Sequence, residues 1–447
     1  MTPIIHTAKR FSFACLLLAL GACLPRPTVP TGPLLSSPLP TTTGPPLPTG
    51  RPSATSPPTP PTAVPTPDPS LRLMFPTWYY NYGASYILTD PPIKFARPDG
   101  APIPAPTWAG DLTQISGIYL AWSPDGRYLA FNGFPIDEHG NVEGPYEASR
   151  SLLLVAEPTS GKLFTANPEG FNFYPLAGGP TWSPDGSQIA IPLATPSTAW
   201  NLAIHIVRPQ AGTPRQITSP GALFPSWSPV HNLLAYLEYL PKHPSCSPFL
   251  PGDFIGCDQA TLKLLDLDSG AESTLLEGVH IGAEAGKENW YNAPAWSPDG
   301  QWLAVFHGGD EADLVVVDPD TGHRSVLLRS VDRGSYISVA PNAQYIAYGS
   351  RESGNDEVLL LPIVPGPFHN LPEPDAPPRN LTNDPSSDIY PLWSPDSRFL
   401  SFLSDRKDPG TGFYRLYTAD LVTGEVRLMS EDLVDGTPAW VPPSVSQ

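Results

Sequence analysis

Cationic side chains are scarce in this chain. Its 447 residues hold 25 Lys and Arg against 43 Asp and Glu, a net charge of −18 at neutral pH. A surface of that sign repels phosphate backbones, which argues against nucleic acid as a partner. Cysteine is nearly missing. Of four in all, Cys15 and Cys23 lie in or at the end of the first apolar stretch, and Cys246 and Cys257 have too few Cys or His nearby to complete the four ligands of a thiolate metal site. Long hydrophobic runs are absent after residue 22, so no segment beyond it reads as a membrane-spanning helix. The Gly-x-Ser-x-Gly elbow of serine hydrolases does not occur, and neither does EF-hand spacing. The run from His307 to Asp313 therefore reads as a solvated connection rather than a calcium loop.

What is present is proline, with 62 residues, and a repeated phrase centred on tryptophan. It stands at Trp122-Ser123-Pro124-Asp125-Gly126, at Trp182 to Gly186, at Trp227-Ser228-Pro229, at Trp296 to Gly300 and at Trp393-Ser394-Pro395-Asp396. The gap between Trp296 and Trp393 holds a worn copy, Val339-Ala340-Pro341-Asn342-Ala343, with Val339 in the Trp place. Each copy precedes a short apolar strand such as Tyr128-Leu129-Ala130-Phe131. Pro presets φ at the first turn position, Asp accepts backbone N–H groups, and Gly takes the left-handed conformation that closes the turn. Copies with Val230-His231, Asn342-Ala343 or Ser397 in place of Asp-Gly are expected to relax into other turn types. The repeated Asp125, Asp185, Asp299 and Asp396 read as turn residues rather than a catalytic carboxylate set.

Every repeat continues in a fixed order: strand, polar loop, strand, turn, strand. Such four-stranded meanders describe the antiparallel blades of an all-β propeller, since one copy cannot bury its own apolar face. The motif and its strand pattern resemble the TolB-like or WD40-like propeller repeats over roughly residues 110 to 440. That resemblance implies a propeller and leaves the activity open, because propellers host many functions. Six repeats are countable, and Thr437-Pro438-Ala439-Trp440 starts a seventh. Seven blades are expected, the last closed by this C-terminal strand and three N-terminal ones at Ser85–Thr89, Ile93–Arg97 and Pro102–Pro104; six blades is the alternative.

Lys9-Arg10, the apolar run from Phe11 to Ala22 and Leu20-Gly21-Ala22-Cys23 read as a secretory signal over residues 1–22, and the last four residues resemble a bacterial lipobox. Cys23 is then the lipidated first residue of the mature protein. Residues 23–70 form a Pro, Thr and Ser-rich linker that favours extended polyproline II, and residues 71–447 the propeller. Outside the cytoplasm Cys246 and Cys257 are expected to form a disulfide, with free thiols as the other reading.

In a meander of this kind the short turns share one face, and the loops after the second strand share the other with the connections between blades. The longer segments, 132–150, 238–259 and 277–292, fall on that second face, a distribution that often marks a binding face. Aromatics precede the inner strands at Phe173, Tyr174, Phe224, Trp290, Tyr291 and Tyr390, with Asp388 close by. They either rim the channel mouth, stacking on a sugar or gripping a peptide, or pack between blades. Histidines are scattered over different repeats and point to no metal, and no cofactor is expected. The reading is a monomeric, exported propeller held to the membrane only by its lipid, a non-catalytic binding module for protein or envelope glycan. The enzymatic alternative is a polysaccharide lyase or glycan hydrolase acting in the channel.

Overall fold

The computed structural model divides into two units, Met1–Thr62 and Ala63–Gln447. It describes most of the second from Asp68 onward; residues 1–67, 82–84, 107–114, 136–151, 167–171, 174–177, 195–201, 240–258, 281–292 and 367–370, with a few isolated positions, lie outside the described residues. The described elements are all β-strands. They form six hydrogen-bonded sheets, one of eight strands and the rest of four or five. The eight-stranded sheet runs through two consecutive repeats, Ala222 to His280 and Ala295 to Asp332, joined at Val279 opposite His307. Each Trp phrase thus opens its own antiparallel meander, as in Asp388–Trp393, Phe399–Ser404, Arg415–Asp420 and Val426–Leu428.

The termini build a further sheet together. Arg72, Leu73 and Met74 pair with Val441, Trp440 and Ala439, while Thr77 and Trp78 pair with Val434 and Leu433. Leu71, Leu73, Phe75 and Trp440 then pack against Ile389, Phe399 and Leu416 on one side. Met74, Ile93 and Phe95 pack against Leu120, Leu129 and Phe131 on the other. The small sheets therefore close into a propeller-like ring with apolar layers between neighbours. Closure covers the inner edge of Arg72–Asn81, which would otherwise be a site for association.

One expectation about this sheet needs correction. Its first N-terminal strand is Arg72–Asn81, and the stretch read as two strands is the single strand Ser85–Ala96. Leu88 pairs with Trp78 and Ile93 with Pro76, so Thr89-Asp90-Pro91-Pro92 is extruded opposite Thr77. Prolines lack the N–H a ladder needs, and a bulge accommodates them without ending the strand.

The repeated phrase is a closed hydrogen-bond unit. Ser123 Oγ donates to Asp125 Oδ1 at 2.7 Å and accepts from the Tyr128 N–H at 2.9 Å, while Asp125 Oδ1 accepts the Arg127 N–H at 3.0 Å. The same contacts recur from Ser183, Ser297 and Ser394. Gly126 sits at φ +71°, and Ala343 and Ser397 hold the same place at +55° and +60°. Those two turns therefore do not relax; the surrounding hydrogen bonds hold a non-glycine residue in the left-handed region at a cost of about 1 kcal/mol.

The tryptophans do more than fill space. Trp182 Nε1 donates to the Ala121 carbonyl at 2.8 Å, Trp296 Nε1 to Ser226 at 2.9 Å and Trp393 Nε1 to Ser338 at 3.1 Å. Each indole thus ties its strand to the residue before the Trp place one repeat earlier. Trp227 Nε1, equally buried, makes no such bond among the described residues. Trp182→Phe is accordingly expected to cost about 1 kcal/mol more than Trp227→Phe, read from urea midpoints. Equal losses would show that the indole bond contributes nothing.

Candidate functional site

Each inner strand enters from the loop face and ends in its Trp phrase on the turn face. In four repeats it carries a one-residue bulge midway, seen as register slips between Gly117 and Leu120, Leu223 and Ser226, Ser335 and Ser338, and Ile389 and Leu392. The residue three before the Trp place is Tyr119, Gly179, Phe224, Ala293, Tyr336 or Tyr390. Phe224, Tyr336 and Tyr390 stand at φ +50°, +51° and +58°. Bulky residues rarely adopt such angles, and Pro225 and Pro391 restrict the first and last further. Gly178, at φ +119°, shows how close the bulges approach, because a Cβ there would lie 2.9 Å from Phe224 Cα.

The bulge aromatics lean on their neighbours. Tyr336 and Tyr390 have ring centroids 4.1 Å apart, and a Cβ on Gly179 would be 3.3 Å from the Tyr119 ring. Phe224 is buried among Leu202, Leu223, Ala235 and Trp296. Of the sequence-derived set, Phe173 lies in a two-residue strand opposite Leu193. Tyr174, Trp290, Tyr291, Cys23, Cys246 and Cys257 lie outside the described residues. Asp388 and Tyr390 fall on one inner strand, and around them the loop face gathers groups the sequence reading did not single out.

Asp388 has no exposed side-chain surface and receives both hydrogen bonds of Arg406 Nη2, at 3.1 and 3.0 Å. Arg406 Nε donates to Ser404 Oγ at 2.8 Å, and its guanidinium lies 4.6 Å from the Tyr417 ring centroid and 5.4 Å from that of Phe402. In the preceding repeat Arg351 grips Asp356 through Nε and Nη2 at 2.6 and 2.9 Å, and Ser387 Oγ donates to the same carboxylate at 3.2 Å. Buried Glu357 accepts from Thr382 Oγ1, from the Asp384 N–H at 3.1 Å and from Asn355 Nδ2 at 3.2 Å. Buried Asp405 accepts the N–H groups of Ser387 and Gly410, each at 2.8 Å. Burial pushes the Asp388 carboxyl up to about 6, against hydrogen bonds from Ser404 and Arg406 and the Arg406 charge, which pull it down. A sequence signal for this network existed: an Arg follows the second strand closely in two consecutive repeats, at Ser350-Arg351 and at Ser404-Asp405-Arg406.

Elsewhere the polar groups serve the fold. His205, within a strand, bonds the Ala203 carbonyl at 3.0 Å, and burial lowers its pKa. On the turn face, far from Asp388 in the ring, a cleft of about 550 Å³ between the third and fourth repeats is lined by His231, Asn232, Asp268, Gln301 and Asp320 among others. Its Asp266 and Asp318 carboxylates accept N–H groups of their own turns. Among the described residues no group of three or more His, Cys, Asp or Glu is placed to hold a metal ion.

No family model matches this chain. Solved structures with a similar fold include a putative TolB from Agrobacterium tumefaciens, 19% identical, with 62% of this chain and 87% of that chain covered at a TM-score of 0.40. TolB from Acinetobacter baumannii is 18% identical, with 74% and 68% covered and a TM-score of 0.42. An oligogalacturonate lyase in complex with manganese is 13% identical, with 78% and 97% covered and a TM-score of 0.46. These are likenesses of fold and carry nothing about activity.

Proposed function

We propose that this chain is an exported, lipid-anchored propeller of the TolB-like repeat type, with seven blades, that binds an envelope glycan or protein on its loop face without catalysis. The observation that carries this reading is the saturation of that face between the fifth and sixth repeats. The guanidiniums of Arg351 and Arg406 are spent on Asp356 and Asp388, and Glu357 and Asp405 are held by hydroxyl, amide and backbone N–H donors. Groups so engaged hold loops in shape and present a preorganised surface, which favours binding over group transfer. Tyr390, half-buried against Tyr336, supplies the aromatic platform of this surface.

Two experiments test the reading. Cys23→Ala is expected to release the protein from membranes into the soluble envelope fraction; retention in membranes rejects the lipid anchor. For the head, titration with purified envelope glycan fragments and with candidate envelope proteins is paired with metal analysis and an assay on uronate-containing polysaccharides. Saturable binding without turnover is the expected result. Stoichiometric bound metal with chain cleavage would establish the channel-lyase alternative instead. Cys246 and Cys257 are expected to be disulfide-linked in the exported protein, read from the mass change on reduction and alkylation.

A further inference from the structure

The loop-face network contains more buried negative charge than its guanidiniums balance. Asp356, Glu357, Asp388 and Asp405 are all buried. Two guanidiniums, Arg351 and Arg406, pair with members of this set. Backbone N–H groups satisfy Asp405, and Thr382, Asp384 and Asn355 donate to Glu357, so hydrogen bonds account for those two carboxylates. Among the described residues Arg406 is the charge partner of Asp388.

The surroundings of Asp388 come from three elements. From its own sheet, Ser404 and Arg406 bond it and Tyr417 faces it, with Asp405 adjacent. From the connection that leads into its strand come Thr382 and Asp384, the latter 3.9 Å from Arg406. From the preceding repeat come Glu357, reached through Thr382, and Asp356, whose carbonyl accepts the Asp388 N–H at 2.8 Å and whose carboxylate holds Arg351. The Thr382 hydroxyl therefore lies between two buried carboxylates and has one hydrogen to give. It donates to Glu357 and accepts the Val358 N–H at 3.1 Å.

Arg406 is also the second residue of the loop 405–414, which Asp405 holds through Ser387 and which Arg415 holds at its far end through Asp408, at 2.5 Å. We propose that Asp388 and Arg406 form a proton-operated latch: uptake of one proton by Asp388 loosens its bidentate hold on Arg406 and releases the 405–414 loop on the loop face. Thermodynamic linkage sets the direction. Withdrawal of Arg406 removes a charge that favours the carboxylate, while strands and aromatic rings keep the site buried. The released form therefore binds the proton more tightly than the latched form, and acidification favours release. Burial has already raised the Asp388 carboxyl to about 6, so the transition falls in mildly acidic solution rather than near the ordinary range of aspartate. The latch holds whether or not the loop face binds a ligand.

Hydrogen exchange of the peptide covering residues 404–416, corrected for intrinsic rates and followed from about pH 7.5 to about pH 5, tests this in the full chain. The expected result is a step of roughly tenfold or more in exchange, with a midpoint near 6. Asp388→Asn is expected to exchange at the fast level throughout, with no step. Ser404→Ala keeps both charges of the pair while removing a hydrogen bond to the ionised carboxylate and the acceptor of Arg406 Nε, both of which favour the latched form. Its midpoint is expected to move up by about half a pH unit or more. Asp408→Asn is expected to keep the step. A flat profile in the unaltered protein overturns the latch, as does a step that survives Asp388→Asn or an unmoved midpoint in Ser404→Ala.

Discussion

Trp440→Ala is expected to lower the unfolding free energy by roughly 3 to 5 kcal/mol, as for an aromatic in the middle of a core. Trp440 stands seven positions from the last residue, Gln447, where substitutions are usually tolerated. The ring changes that expectation. Its backbone pairs with Leu73, and its side chain, 7% exposed, is part of the layer holding Leu71, Phe75, Ile389 and Leu416. Leu73→Ala loses packing in the same layer, so the two substitutions should couple rather than add in a double-mutant cycle. Urea denaturation measures both. A loss below about 1 kcal/mol for Trp440→Ala, or strict additivity, is the result of an unclosed ring in which the terminal strand is dispensable.

The second large effect is expected from Arg406→Ala, about 3 to 5 kcal/mol near neutral pH, because it strands the fully buried Asp388 without its counter-charge. The loss should shrink on acidification. Without the guanidinium the carboxyl titrates higher still, and once protonated it no longer presents an uncompensated charge. In the unaltered protein the folded-state value of about 6 lies above the ordinary 3.8. Between them the folded chain holds a proton the unfolded chain has lost. This group's contribution to stability therefore rises as pH falls from about 6 toward about 4, by at most about 1.4 kcal/mol per pH unit. Unfolding free energies at three pH values check both claims, and a loss in Arg406→Ala that is constant across them rules out the buried-charge explanation.

The legible part of this protein was its repetition. Pro, Asp and Gly after a Trp specify a turn locally, so the hairpins at Asp125, Asp185 and Asp299 were readable, as was their structural rather than chemical use of carboxylates. The meaning of broken copies was not. Ala343 and Ser397 keep the turn because the Ser or Ala before them and the following strand hold its ends, with N–H to carbonyl bonds of 2.8 and 2.9 Å. Local propensity, taken alone, predicts relaxation there. The N-terminal strands were misplaced for a related reason: Pro91-Pro92 punctuates the sequence, yet both halves of the strand pair with one partner.

Sequence alone determined that four-stranded antiparallel units are copied around a tryptophan phrase, since that information lies in contacts a few residues apart. Only the tertiary structure decided that Arg72–Asn81 meets the last strands, that indoles tie one repeat to the carbonyl of another, and that Asp388 is buried against Arg406 rather than displayed at a rim. Those features join residues of different strands or opposite chain ends. Their energies come from burial and from pairing charge out of water, and neither leaves a periodic trace in the order of the amino acids.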